Sequence, residues 1–271
     1  MTSTASTPTS TSTSTEPRTS TVSPLRLYRA HVRAILVETM RVPIAVIGAM
    51  AFPAMSLLFF VVPNRVVADD PVFATQAVIS LSVFAVLASS LFNLGLSTAE
   101  SREKPWDPYL RSLPLSSTVR IGAQLTATSV ISLAAIIPVV VLGALTTAAE
   151  VSVLGFMLGF AALAVTSIPF LLIAVCIGYA FASKAAIAII QVVMFGFAFA
   201  GGLFLPPQLF PDWLDAISRF IPARHARDLV ISAAEVTSPE LWMLIGALAW
   251  TLVTGALAVW LYRRDEGRRY R

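Results

Sequence analysis

Long apolar runs alternate along the chain with short polar connections, and six of the runs are of bilayer-crossing length, at about 42–63, 72–98, 121–147, 151–181, 185–205 and 240–262. Each reaches or approaches the ~20 residues that carry an α-helix across ~30 Å of hydrocarbon. Because the runs are continuous rather than alternating in polarity, they predict helices and not barrel strands. The expected architecture is an all-α integral membrane protein whose transmembrane domain occupies residues 42–262. Residues 1–23 are nearly all Thr, Ser, Ala and Pro and predict a disordered tail. From 24 to 41, Arg26, Arg29 and Arg33 recur at helical spacing opposite Leu25, Tyr28, Val32, Ile35 and Leu36, which predicts an amphipathic helix on an anionic lipid surface. Residues 263–271 form a basic tail.

Two connections depart from the ordinary loop pattern. Ser101–Ser116 carries Arg102, Glu103, Lys104, Asp107 and Arg111, which cannot sit in hydrocarbon, together with Trp106, Tyr109, Leu110, Leu113 and Leu115. That mixture predicts a short helix lying along the membrane face or docked on a soluble partner. Between spans five and six, Gly201–Pro239 breaks the chain with glycines and prolines. Trp213, Leu214, Ile217 and Phe220 then recur at helical spacing, and a second amphipathic piece follows Pro222. The pair reads as two interfacial or re-entrant helices forming a cap, with His225 on its outer face.

Composition sharpens this picture. Only 13% of residues are charged where a soluble domain carries about a quarter, so the apolar runs face lipid or one another. If both termini are cytoplasmic, fifteen of the nineteen basic residues lie inside, and Arg65, Arg219, Arg224 and Arg227 lie outside. That bias places Ser101–Ser116 in the cytoplasm. The lone Cys176 excludes an intramolecular disulfide, and the two histidines, His31 and His225, are too far apart in the chain for a metal cluster. Neither lysine, Lys104 or Lys184, stands in a phosphate-binding loop, and no nucleophile elbow is present, so catalysis on this chain is not expected. No span shows an evident buried charge, which argues against an ion-coupled pump.

Within the spans, Pro53, Pro138 and Pro169 are expected to bend their helices, and Gly155-Phe-Met-Leu-Gly159 permits close helix approach. Asn93 and Gln191 either bond a neighbouring helix or line a substrate path. With Met194, Phe195 and Phe199 they make up the substrate-path candidates. The glycines of the fifth span favour pairing of two chains through the second and fifth spans.

Arg102-Glu103, the segment through Tyr109-Leu110, and Leu113-Pro114-Leu115-Ser116 resemble the segment between spans two and three of ABC-2-type transporter permeases. The resemblance covers most of residues 24–262, including Gly201-Gly-Leu-Phe-Leu-Pro before the outer helices and the Ile221-Pro222 break. Ser101 stands where the family often has an acidic residue, and Pro105-Trp106 replaces the usual Gly-Thr. What the resemblance implies is the membrane-spanning permease subunit of an ATP-binding-cassette exporter in a bacterial cell membrane. Such subunits work as homodimers or heterodimers and dock separate ATPase subunits, which bind ATP and Mg, through the inner segment as a coupling helix. No cofactor on this chain and no nucleic-acid partner are implied. Arg102, Glu103, Trp106, Tyr109, Leu110 and Pro114 become the ATPase-coupling candidates, with Trp106, Tyr109 and Leu110 as anchors. Arg102 and Glu103 orient the segment by pairing with each other or with the partner. The charge-poor spans favour a lipophilic or amphipathic cargo such as a drug, lipid or peptide. The competing reading is a six-span scaffold or immunity protein that binds a partner without transport.

Overall fold

A computed structural model describes residues 23–41, 43–105 and 117–268. Helices α1 (Pro24–Met40), α2 (Pro43–Ser56), α3 (Arg65–Ala68), α4 (Pro71–Ser90) and α5 (Ser97–Glu103) form the first half. Then come α6 (Ser117–Ala134), α7 (Ile137–Thr146), α8 (Val153–Ala180), α9 (Ser183–Ala200), α10 (Asp212–Ser218), α11 (Pro222–Ala234) and α12 (Leu241–Arg268). No strand occurs among the described residues, so the all-helical expectation holds.

Among the described residues, five helical stretches are long and apolar enough to cross a membrane: Pro71–Glu103, Ile121–Thr146, Val153–Ala180, Ser183–Ala200 and Leu241–Asp265. They coincide with the second to sixth expected spans to within a few residues, except that the second runs on through α5. The first expected span falls on α2, which continues through a π-helical turn at Leu57–Val61.

The interruptions have local causes. Pro53 lies inside α2, where it removes a backbone donor, and the wider turn begins four residues later. Pro138 does not bend a helix from within; it sits at the start of α7, after a break at Ala135–Ile136. A second π-helical turn, Leu91–Leu96, joins α4 to α5 and contains Asn93. Asp70 opens α4 by accepting from the backbone N–H groups of Val72 and Phe73, at 2.9 and 3.0 Å.

Helix α4 is the axis of the bundle, buried at every residue from 80 to 91. It packs on α2, α6, α7, α8 and α11. The second span therefore offers little surface to another chain, contrary to the expected pairing face. The fifth span does: α9 exposes Ile187, Val192 and Phe199, and no atom lies within 4 Å of where a Cβ on Gly196 would stand.

Of the interfacial and re-entrant alternatives, helix α11 takes the inserted one. It is an amphipathic piece by sequence, yet it is buried nearly throughout and inserted among α4, α8 and α12. The Gly155–Gly159 motif makes this possible. A Cβ on Gly155 would fall 2.1 Å from the Ala234 carbonyl oxygen, so only glycine lets α8 and the end of α11 approach so closely. Helix α10, by contrast, stays at the surface, with Trp213 and Phe220 exposed.

Candidate functional site

At one end of the bundle, α5 delivers Arg102 and Glu103 to two different helices. The Arg102 guanidinium donates through Nη2 and Nε to Asp265 Oδ1 on α12, at 2.6 and 3.1 Å, and through Nη1 to the Gly178 carbonyl on α8, at 2.9 Å. Its plane also lies 5.5 Å from the centre of the Tyr179 ring. Glu103 accepts from the backbone N–H and the hydroxyl of Ser183, at 2.8 and 2.6 Å, and so caps the first turn of α9. Both residues are thus engaged by other helices of the same chain.

Through these contacts the end of α5 is tied to the α8–α9 connection and to the last turn of α12. Trp106, Tyr109, Leu110 and Pro114 lie outside the described residues. Asp265 was missed because a single carboxylate in a basic tail region looks like solvated surface; its spacing from Trp260 and Leu261 on α12 gives no signal of an inward-facing position.

Helix α1 lies against the same end. The Tyr28 hydroxyl stands 2.6 Å from Thr126 Oγ1 and donates to the Gly122 carbonyl at 3.4 Å, fixing α1 to the start of α6. Arg26, Arg29 and Arg33 remain exposed on its other side.

The five substrate-path candidates are not brought together. Asn93 donates to Ser89 Oγ on its own helix at 2.9 Å, Gln191 is exposed on α9, and Met194 is in the core. Phe195 packs edge-on against Phe52, and Phe199 joins Phe204, which also stacks near Phe84 and Phe60. This aromatic cluster links α2, α4 and α9 to the loop that follows Gly202. Gly202 turns that loop at φ +78°, a conformation glycine adopts without penalty, with Pro207 packed over it.

At the opposite end, α11 carries charge into the bundle, which the sequence reading had not anticipated. Arg219 and Arg224 both hold Asp215, Arg224 also holds Asp228, and Asp228 accepts from Arg227 Nη1 at 2.7 Å. Arg227 Nε then donates to Ser80 Oγ on α4 at 2.9 Å, in a buried contact. This ladder runs from exposed Arg219 to buried Ser80, and each buried charge has an opposite partner, as desolvation demands. His225 is buried rather than on the outer face; its Nδ1 stands 2.8 Å from the Ile221 carbonyl and its ring 5.4 Å from that of Trp242. The amphipathic pattern of α11 was legible, but whether its apolar side met lipid or protein depended on the glycine contact with α8.

Two cavities flank α11. One, of about 130 Å³, is apolar and lies between α4, α7 and α8. The other, of about 270 Å³, lies between the end of α2, the first turns of α4 and the loop after Gly202, with Arg227 and Ser80 in its lining.

The described residues form a multi-pass helical bundle in which Arg102 and Glu103 are held by α8, α9 and α12, and in which α11 is inserted beside α4 and α8. The chain belongs to the ABC-2 type transporter family, whose model matches residues 18–234. It is also 26% identical over 216 residues to a Bacillus subtilis (strain 168) protein named "Putative transport permease YvfS", covering 79% of this chain and 80% of that one. The chain is thus a multi-pass membrane protein of a transporter permease family, and permeases of this family generally pair with ATPase subunits of the ABC class.

Proposed function

We propose that this chain is the membrane subunit of an ATP-driven exporter that moves lipophilic or amphipathic molecules outward, with ATP hydrolysed on a separate subunit. The observation that carries the reading is the double attachment of α5, Arg102 to Asp265 and Glu103 to Ser183, at the root of the segment 104–116. A segment that merely connected two spans would gain nothing from being tied to α8, α9 and α12. A segment that receives force from a partner needs a stiff root.

The basic end faces the cytoplasm in this reading, by the excess of Arg and Lys there, and both termini lie on that side. This requires a sixth crossing, which we assign to α2 with its π-helical turn. Two copies, or this chain and a related one, meet through α9 and the aromatic side of α2 and its π-helical turn, where Phe59 is 68% exposed. Nucleotide-driven closure of the ATPases, received through Trp106, Tyr109 and Leu110, then rocks the two bundles and opens the path between them outward. Apolar spans suit a cargo that partitions from lipid.

The test is co-purification with an ABC-class ATPase subunit co-expressed with this chain, followed by ATP-dependent accumulation of a lipophilic fluorescent dye in inside-out vesicles. Accumulation that needs both subunits and ATP is the expected result. A stable complex that accumulates none of a panel of drugs, lipids and amphipathic peptides, and shows no substrate-stimulated hydrolysis, would count against transport and favour a scaffold.

A further inference from the structure

The cavity of about 270 Å³ beside Arg227 is lined on its deep side by Arg227, Ser80 and Gln76, and near its mouth by Asn64. Its walls are apolar, and four of them, Phe60, Phe73, Leu205 and Leu209, are between 46% and 68% exposed at the surface of the subunit. The space is thus bounded by exposed apolar side chains on one side and by buried polar groups on the other. Ser80 is nine residues into α4 from Pro71, so along that helix the polar floor lies roughly 14 Å below its end. No lining residue is acidic, and the one charged group is Arg227, 4% exposed. An arginine has five N–H donors. Among the described residues, Arg227 gives one to Ser80 and one to Asp228, and its guanidinium also lines the cavity.

An ionised group at such depth is costly to keep and is found where it serves a ligand or a path. Asp228 already offsets the charge, so stability alone would be served by a buried apolar residue of similar volume. We propose that this cavity binds an anionic amphiphile, a phosphate- or carboxylate-headed molecule with an aliphatic tail, taken laterally from the membrane. The head accepts hydrogen bonds from the remaining N–H groups of Arg227 and from the second amide N–H of Gln76, whose other N–H is given to Glu235, while the Ser80 hydroxyl stays bonded to the Gln76 backbone carbonyl; the tail lies along Phe60, Phe73 and Leu209. The site stands within one subunit, and its Phe60 wall adjoins Phe59 on the surface assigned to pairing. It rests on the exporter reading only in naming the cargo class; binding itself does not depend on an ATPase.

The experiment is equilibrium binding of radiolabelled dodecyl phosphate to the purified full chain in nanodiscs of zwitterionic lipid, with empty nanodiscs subtracted. Dodecanol and inorganic phosphate serve as the tail-only and head-only probes. Two substitutions leave the Arg227–Asp228 pair in place: Ala77→Phe, which fills the cavity from its lining, and Asn64→Asp, which sets a carboxylate at its exposed mouth. The parent chain is expected to bind dodecyl phosphate saturably, one per chain, and about tenfold more tightly than dodecanol or inorganic phosphate. Each substitution should weaken that binding about tenfold without lowering thermal stability, and Asn64→Asp should leave dodecanol unaffected. Equal binding of dodecyl phosphate by the parent and both variants would overturn the proposal. So would dodecanol or inorganic phosphate binding as tightly as dodecyl phosphate. Failure of the exporter reading would appear separately, as loss of ATP-dependent dye accumulation with this binding intact.

Discussion

Arg102 and Asp265, 163 positions apart in the chain, meet at 2.6 Å with the carboxylate 7% and the guanidinium 21% exposed. Asp265→Ala leaves a largely buried guanidinium short of its anion, a loss that costs roughly 3 kcal/mol for a buried pair. A double-substitution cycle with Arg102→Ala, read by thermal unfolding in detergent, is expected to give a coupling of about 1–3 kcal/mol. Additive effects would mean that the pair does not hold α5 to α12.

The insertion of α11 makes two opposite predictions on one element. Gly155→Ala drives a methyl group against the Ala234 carbonyl, which belongs to rigid backbone, and is expected to destabilise the fold by about 1–3 kcal/mol. Val236, just past α11, sits at φ +56°, where a β-branched residue is strained. It ends the helix with Thr237 N–H donating to the Ser232 carbonyl at 2.8 Å, a turn that favours glycine. Val236→Gly is expected to stabilise by about 1 kcal/mol. Thermal unfolding of both variants checks the pair; a melting temperature raised by Gly155→Ala would contradict the packing described.

These positions also show what the sequence could and could not reveal. Apolar runs of span length locate crossings because hydrocarbon thickness alone sets their length, so α4, α8, α9 and α12 were legible to within a few residues. The break between α6 and α7 was read as a bend, since Pro138 suits either. The insertion of α11 was open, because an amphipathic helix has the same pattern whether its apolar side meets lipid or protein. At the candidate site, Arg102 and Glu103 stood out as charges beside a span. Their partners did not, for Ser183 acts through its backbone N–H as well as its hydroxyl and Asp265 lies in a far segment. The same long-range pairing hid the Arg227–Ser80 contact.

The fifteen-to-four distribution of basic residues predicts that both termini lie in the cytoplasm. In a Cys176→Ser background, single cysteines at Asp70, Ser112, Thr147 and Asp212 are expected to differ in reaction with a membrane-impermeant thiol reagent on intact cells. All but the one at position 112 should be labelled. Labelling at 112 would place the basic end outside.

Pairing of chains is tested at Gly196, which faces open space on α9. Gly196→Trp leaves the isolated subunit as stable as the parent chain, while bulk at a close helix contact breaks association. The expected result is a shift from two copies to one in native-lipid particles analysed by mass. Unchanged association would move the interface away from α9.

The account rests on transmission of force from an ATPase through the segment rooted at Arg102 and Glu103, and one measurement bears on it most directly. The ATPase is captured by the full chain carrying Leu110→Asp or Trp106→Ala, and substrate-stimulated hydrolysis of each complex is read in lipid vesicles. Leu110→Asp is expected to weaken capture by about 2 kcal/mol or more, because a charge would enter a desolvated anchor contact, with membrane insertion unchanged. Glu103→Ala, which frees the start of α9 without touching the partner, should retain capture and lose stimulation. If Leu110→Asp and Trp106→Ala both capture the ATPase and couple like the parent chain, the segment is a solvated loop and the central claim fails.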